Sequence, residues 1–259
     1  VAIGFERLFA RELGVGPEQI ELDHVGLNHL SWELGARVRH ADGTATEVLD
    51  TLLMHHGDAL ADETELPLAL MRSERSIPSY YLRYYWEHDA LVERARSAPS
   101  RADEVAAIER ELLAIYADPA PTEKPALLAQ RGGAFYSEAA IGLLSSLLGT
   151  GPARDHVVNV RNHGILPFLD DDAVIETRAH VSVGEVHAYP VPEVPPLAAG
   201  LIAHVTRYEQ LGVEAALYGD RDRVVRALLA HQLVGQYDKA QIRADRLIAE
   251  NQDWLPWAP

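Results

Sequence analysis

IELDHVGLNHLSWELGARVR, residues 20–39, contains two runs rich in aliphatic and β-branched residues, Ile20–Val25 and Leu30–Arg39. Both read as strands, so a β-hairpin sits near the start of the chain. Upstream, Val1, Ile3, Phe5, Leu8, Phe9 and Leu13 recur at helical spacing, and Gly14 stands where a left-handed terminating residue belongs. A chain already in mid-helix at its first residue, with no Met, reads as part of something longer. Downstream, Asp42-Gly43 marks a turn, and Thr46 is expected to cap a helix running to about His56, ahead of Gly57.

After Pro78 the segment SYYLRYYWEHDALVERAR predicts one helix with proline near its first turn. Ser100, with Asp103 three residues on, predicts the N-cap of another helix whose apolar stripe is Val105, Ile108, Leu112 and Ile115. Pro119, Pro121 and Pro125 interrupt it. A helix over Tyr136–Leu148 is expected after a turn at Arg131-Gly132-Gly133. Short β runs follow at His156–Val160, Ala173–Val183 and Glu185–Ala188. Pro190, Pro192, Pro195 and Pro196 predict an extended connection. Three helices close the chain, at about 197–217, 221–230 with Asp220 as N-cap, and 238–250.

This order predicts an α+β fold, mostly helical, with a small antiparallel or mixed β group and one unit over 1–259. No strand, glycine-rich turn and helix follow one another. Gly14-Val15-Gly16 precedes Pro17 and ends a helix rather than opening one, so it fails the context of a dinucleotide fingerprint. An N-terminal Rossmann domain is therefore absent from the expectation.

The chain carries 23 Lys+Arg against 39 Asp+Glu, a formal net charge of −16. Such a surface repels phosphate backbones, which disfavours nucleic acid as a partner. Apolar and charged shares of 47% and 24% are those of an ordinary globular protein. No run approaches the ~20 apolar residues of a membrane span, and no secretory leader is visible at the start. The sequence has no cysteine, which fits a cytoplasmic setting and removes thiolate nucleophiles and cysteine-held metals from this chain.

Five motifs occur in order: GLNHLSW (Gly26–Trp32), IPSYYLRYYW (Ile77–Trp86), SRADEV (Ser100–Val105), RGGAFYSEAA (Arg131–Ala140) and VNVRNHG (Val158–Gly164). With the C-terminal run YEQLGVEAALYGDRDRVVRALLAHQLV, they resemble the NAD- and divalent-metal-dependent glycosidases of glycoside hydrolase family 4. The Leu30-Ser31 variant resembles its 6-phospho-β-glucosidase branch. The resemblance implies the C-terminal domain of a fold related to lactate dehydrogenase. A dinucleotide-binding domain and a Cys-Asn metal element would lie upstream, where the missing cysteine ligand belongs.

Each candidate residue also has a plainer reading. His29, a neutral imidazole donor by chemistry, could as well be a hydrogen-bonded residue beside a strand; the resemblance makes it a metal ligand, for manganese. Asn28 would touch substrate hydroxyls or orient His29. Tyr80, Tyr81, Tyr84 and Tyr85 could be an aromatic stripe packed on the core, the expectation for Tyr84 or Tyr85. A tyrosine base needs a cation or a helix start to favour phenolate. The resemblance selects Tyr81 as the catalytic base, with Tyr80 the one-residue alternative. Arg101 at a helix start is a solvated charge or, by resemblance, the grip on the substrate's 6-phosphate. Arg131, Asn159 and Asn162 are open between pocket lining and local structure. His55-His56, the remaining histidines and Asp170-Asp171-Asp172 read as surface features.

The resemblance implies a redox–elimination route, not the usual carboxylate pair. Hydride leaves C3 of the sugar for NAD, Tyr81 takes the C2 proton, the aglycone leaves C1, water adds and hydride returns. The substrate would be a phosphorylated disaccharide or aryl glycoside, the assembly a homo-oligomer, and the chain alone inactive with its NAD site mainly elsewhere. Two other classes compete: a 2-hydroxyacid dehydrogenase-like domain and a non-catalytic assembly domain. A zinc hydrolase is disfavoured, since no HExxH or similar ligand pairing occurs.

Overall fold

The computed structural model describes residues 1–120, 122–131 and 135–257. Pro121, Gly132 and Gly133, named above, lie outside the described residues. The chain opens with helix α1 (Ala2–Leu13), closed by Gly14 in the left-handed region at φ 69°. Strands β1 (Ile20–Leu27) and β2 (Leu30–Arg39) follow, then the short β3 (Ala45–Glu47). Helices α2 (Leu49–His55), α3 (Gly57–Thr64) and α4 (Leu68–Glu74) lead to β4 (Ile77–Pro78). Next come a 3-10 turn at Tyr80–Leu82 and helices α5 (Arg83–Trp86), α6 (His88–Ser97) and α7 (Arg101–Ala117).

Beyond the one-turn α8 (Leu128–Arg131), α9 (Tyr136–Leu148) precedes β5 (Arg154–Arg161), β6 (Val174–Ser182) and β7 (Glu185–Ala188). The chain closes with α10 (Pro196–Tyr218), α11 (Arg221–Ala230) and α12 (Tyr237–Asn251). The α+β, mostly helical expectation is met, and every strand pair among the described residues is antiparallel.

One sheet organises the site, in the order β3-β2-β1-β6-β5, with β4 on β2 and β7 on β6. Val25, Trp32, Ile77, Ile175 and Ile202 of α10 are buried in the main core with Phe5 and Phe9 of α1. Alternation sends His24, Ser31, Glu33 and Glu176 to the opposite face from Val25 and Trp32. Farther along the strands, ion pairs stitch the sheet: Arg37 holds Asp23 through two bonds of 2.6 Å, and Arg178 reaches Glu21 at 3.2 Å.

Several local expectations need correction. Thr46 caps no helix; it pairs with Val38 in β3, and α2 begins at Leu49, whose N–H donates to the Glu47 carboxylate at 3.0 Å. The unpaired edge of β2 captures residues that would otherwise cap. The helix does end near His56, as expected, and Gly57 opens α3. The single helix expected after Pro78 is three pieces, broken at Glu87 (φ −120°, ψ 29°). Pro196 is the first residue of α10, where its missing N–H costs nothing. The caps at Ser100 and Asp220 form as expected, accepting from the N–H groups of Asp103 and Arg223.

The hairpin turn demands glycine at position 26. A Cβ there would lie 2.2 Å from the Leu30 carbonyl oxygen, at a φ of 149°. Gly26→Ala is expected to destabilise the protein by about 2 kcal/mol or more. A shift of the denaturant midpoint checks this, and an unshifted midpoint contradicts it.

Candidate functional site

Leu27 pairs with Leu30, so Asn28 and His29 form a two-residue turn at the hairpin tip. His29 occupies the left-handed region at φ 70°. This backbone state is uncommon away from glycine, is more tolerated by His than by most residues, and concentrates at functional sites. The tip is tied down from outside the hairpin. Ser79 Oγ donates to the His29 carbonyl at 2.6 Å, and the Ser79 N–H donates to the Ser31 carbonyl at 2.8 Å. Ser79 directly precedes the turn carrying Tyr80 and Tyr81, so one residue fixes both segments.

The consequence is a stack of rings. The His29 and Tyr81 rings lie 4.2 Å apart between centroids at 23°. Tyr80 lies 4.1 Å from Tyr81 on centroids, and Tyr84 lies 6.5 Å away. The Arg83 guanidinium sits 5.0 Å over the Tyr80 ring and 5.3 Å over Tyr84, paired with Glu65. Tyr85 packs against the core and Tyr84 is exposed, as the stripe reading anticipates for one of them. Burial and the adjacent Tyr81 push the Tyr80 phenol above the usual tyrosine range.

The imidazole of His29 makes no hydrogen bond among the described residues. Partial burial holds its pKa below the usual histidine range. A neutral ring with free nitrogens is the state a metal ligand requires. Among the described residues no three His, Cys, Asp or Glu side chains converge to hold a metal ion. His29 by itself is one neutral nitrogen donor and not a complete donor set for a metal ion.

The remaining candidates are placed apart from the pair. Asn28 is exposed in the turn beside His29. Arg101 opens α7, where it pairs with Glu104 at 3.2 Å and donates to the Gln130 carbonyl at 2.8 Å. No contact among the described residues joins it to His29 or Tyr81. Arg131 pairs with Glu109 at 3.0 Å. Asn162 is structural: wholly buried, it donates to the Leu166 carbonyl at 2.9 Å and accepts from the Leu166 N–H at 2.7 Å. Asn159 is exposed opposite Glu176 on the edge strand β5.

His24 corrects the expectation that the other histidines are surface residues. It is fully buried, with Nδ1 2.7 Å from Glu33 Oε1 and Nε2 2.8 Å from Glu176 Oε1. Burial alone would lower its pKa, but the charge of Glu33 and the bonds to both carboxylates push it up to about 9. Glu6 of α1 also faces the cluster, its carboxyl raised by burial and by Glu33. The hairpin could have revealed half of this, because a two-residue turn at 28–29 sets 24 opposite 33. Glu176 comes from a distant strand, and no local signal announces it.

Residues 24–234 match the family 4 glycosyl hydrolase C-terminal domain. The chain is 32% identical over 255 residues to 6-phospho-beta-glucosidase BglT of Thermotoga maritima, covering 98% of this chain and 60% of that protein. It is 28% identical over 268 residues to a probable 6-phospho-beta-glucosidase of Bacillus subtilis, covering 99% and 59%. The solved T. maritima 6-phospho-beta glucosidase with manganese, NAD+ and glucose-6-phosphate shares the fold with a TM-score of 0.88 at 32% identity, covering 98% and 60%. A 6-phospho-alpha-glucosidase from gut microorganisms, with NAD and Mn2+, shares the fold alone, with a TM-score of 0.76 at 21% identity over 97% and 60%. The chain belongs to glycoside hydrolase family 4 and corresponds to its C-terminal domain. It spans about 60% of the length of the curated relatives it matches.

The buried cluster has a testable energetic signature. A histidine whose folded pKa exceeds its unfolded value stabilises fully below about pH 6.5 and ceases to do so as pH rises through about 9. Unfolding free energy is expected to fall across that window. His24→Leu leaves the buried Glu33 and the part-buried Glu176 without their cation and should cost about 3–5 kcal/mol in denaturant unfolding. Stability flat from pH 6 to 9.5, with a cost below 1 kcal/mol, contradicts the charged cluster.

Proposed function

We propose that the chain is the C-terminal, substrate-binding part of a longer 6-phospho-β-glucosidase that acts with NAD and a divalent metal, manganese being the expected one. The observation that carries this reading is the stacked His29–Tyr81 pair at the pinned hairpin tip. The T. maritima enzyme whose structure holds manganese, NAD+ and glucose-6-phosphate shares this fold.

When bound, NAD supplies a hydride acceptor and the metal supplies Lewis acidity for a sugar oxygen. His29 supplies one neutral nitrogen ligand, and the rest of the longer protein supplies the others. Tyr81, stacked on that imidazole, takes the proton from C2 of the sugar. Tyr80 is the poorer base, since burial holds its phenol protonated. Asn28, exposed beside His29, meets the sugar hydroxyls. Arg101 grips the 6-phosphate, which requires it to exchange its present partner Glu104 for the ligand. The redox–elimination sequence then needs no carboxylate pair across the glycosidic bond.

The homo-oligomer belongs to the same proposal. Helix α9 exposes Tyr136, Ile141, Leu144 and Leu148, with exposures between 50% and 71%. Light scattering of the full-length protein is expected to give at least twice the mass of one chain, and a monomer at high concentration contradicts this.

The full-length protein, given an aryl 6-phospho-β-glucoside with NAD+ and Mn2+, is expected to release the aglycone, whereas residues 1–259 alone release none. Tyr81→Phe should lower kcat by about 10²-fold or more, and His29→Ala should abolish Mn2+-dependent turnover. Full activity of Tyr81→Phe, or turnover indifferent to chelation, overturns the proposal.

A further inference from the structure

The buried carboxylate–imidazole–carboxylate cluster lies on strands that lead directly to the hairpin tip. Its three members come from three adjacent strands: His24 from β1, Glu33 from β2 and Glu176 from β6. An imidazolium between two carboxylates leaves one negative charge in excess among these three, and Glu6 of α1, its carboxyl raised by burial and by Glu33, faces the same cluster. Replacing it by neutral groups would relieve the sheet of a desolvation cost, so a plain scaffold has no need of it.

The excess charge is not placed symmetrically. Glu33 is sealed inside, with 0% of its side chain exposed, whereas Glu176 has 14% exposed. Glu176 commits only Oε1 to His24, and its Oε2 has no hydrogen bond among the described residues and is not among the sealed polar atoms. Glu176 stands opposite Gly26, two residues before the Asn28-His29 turn.

We propose that Glu176 is a positioning residue for the cation centre at His29, acting from outside the ligand set by supplying the unbalanced carboxylate charge of the His24-anchored cluster. His24 holds the carboxylate in place, and Glu33 holds His24. Removing a unit charge that acts on a divalent cation through partly solvated space changes its affinity by about tenfold.

The inference rests on reading His29 as a metal ligand, so the test separates the two. Mn2+ alone is titrated into the full-length protein, and bound metal is read from the loss of the free-ion electron paramagnetic resonance signal. Glu176→Gln keeps the side-chain length and an acceptor for His24, and is expected to weaken Mn2+ binding about tenfold. That deficit should shrink as salt is raised, as a field effect through partly solvated space must. Glu176→Asp keeps the charge and should bind within threefold of the unsubstituted protein. It carries the test if the glutamine variant fails to fold. Affinity of Glu176→Gln within twofold, a deficit unmoved by salt, or a tenfold loss in a folded Glu176→Asp overturns the inference. Equal Mn2+ binding by His29→Ala and the unsubstituted protein overturns the underlying reading instead.

Discussion

A single serine joins the two halves of the site. Ser79 grips the hairpin tip through its hydroxyl at the His29 carbonyl and through its N–H at the Ser31 carbonyl. Without that clamp, the Asn28-His29 turn and the tyrosine turn would be separate surface features some fifty residues apart in sequence. With it, an imidazole and a phenol stack with centroids 4.2 Å apart. Hydrogen bonds between buried or part-buried partners are modest in net stability but strict in geometry, and here the geometry matters most.

The turn also stores conformational cost. His29 takes a backbone state that glycine would adopt freely, and Gly26 is needed two positions from the turn because a side chain there would strike the returning strand. A histidine kept where glycine would be easier argues that the imidazole itself is wanted at the tip. The sheet beneath gives that tip a rigid base. Val25 and Trp32 pack on one face, and the charged trio of His24, Glu33 and Glu176 lies on the other. Function and fold thus share the same few residues between positions 24 and 33.

Much of this was legible in sequence because it is local. The hairpin strands, the Gly14 stop and the Ser100 and Asp220 caps all follow from short-range rules and are where the pattern puts them. Thr46 misled because an open strand edge outbids a cap, a tertiary effect that no local window contains. The helix expected after Pro78 breaks at Glu87, inside the run Tyr84–Asp89, where Tyr, Trp, His and Asp are weaker helix formers than Leu, Arg or Glu. His24 looked like any surface histidine because Glu176, one of its two partners, lies 152 residues away. The meeting of His29 and Tyr81 came from family resemblance, and the clamp that produces it was visible only in three dimensions.

A crystal structure of the full-length protein soaked with Mn2+, with data collected at the manganese absorption edge, tests the central claim most directly. An anomalous peak at coordination distance from a His29 ring nitrogen, with the Tyr81 phenol bordering the same cavity, is the result this account predicts. A peak held by other residues, with His29 still stacked on Tyr81 and uncoordinated, would contradict it.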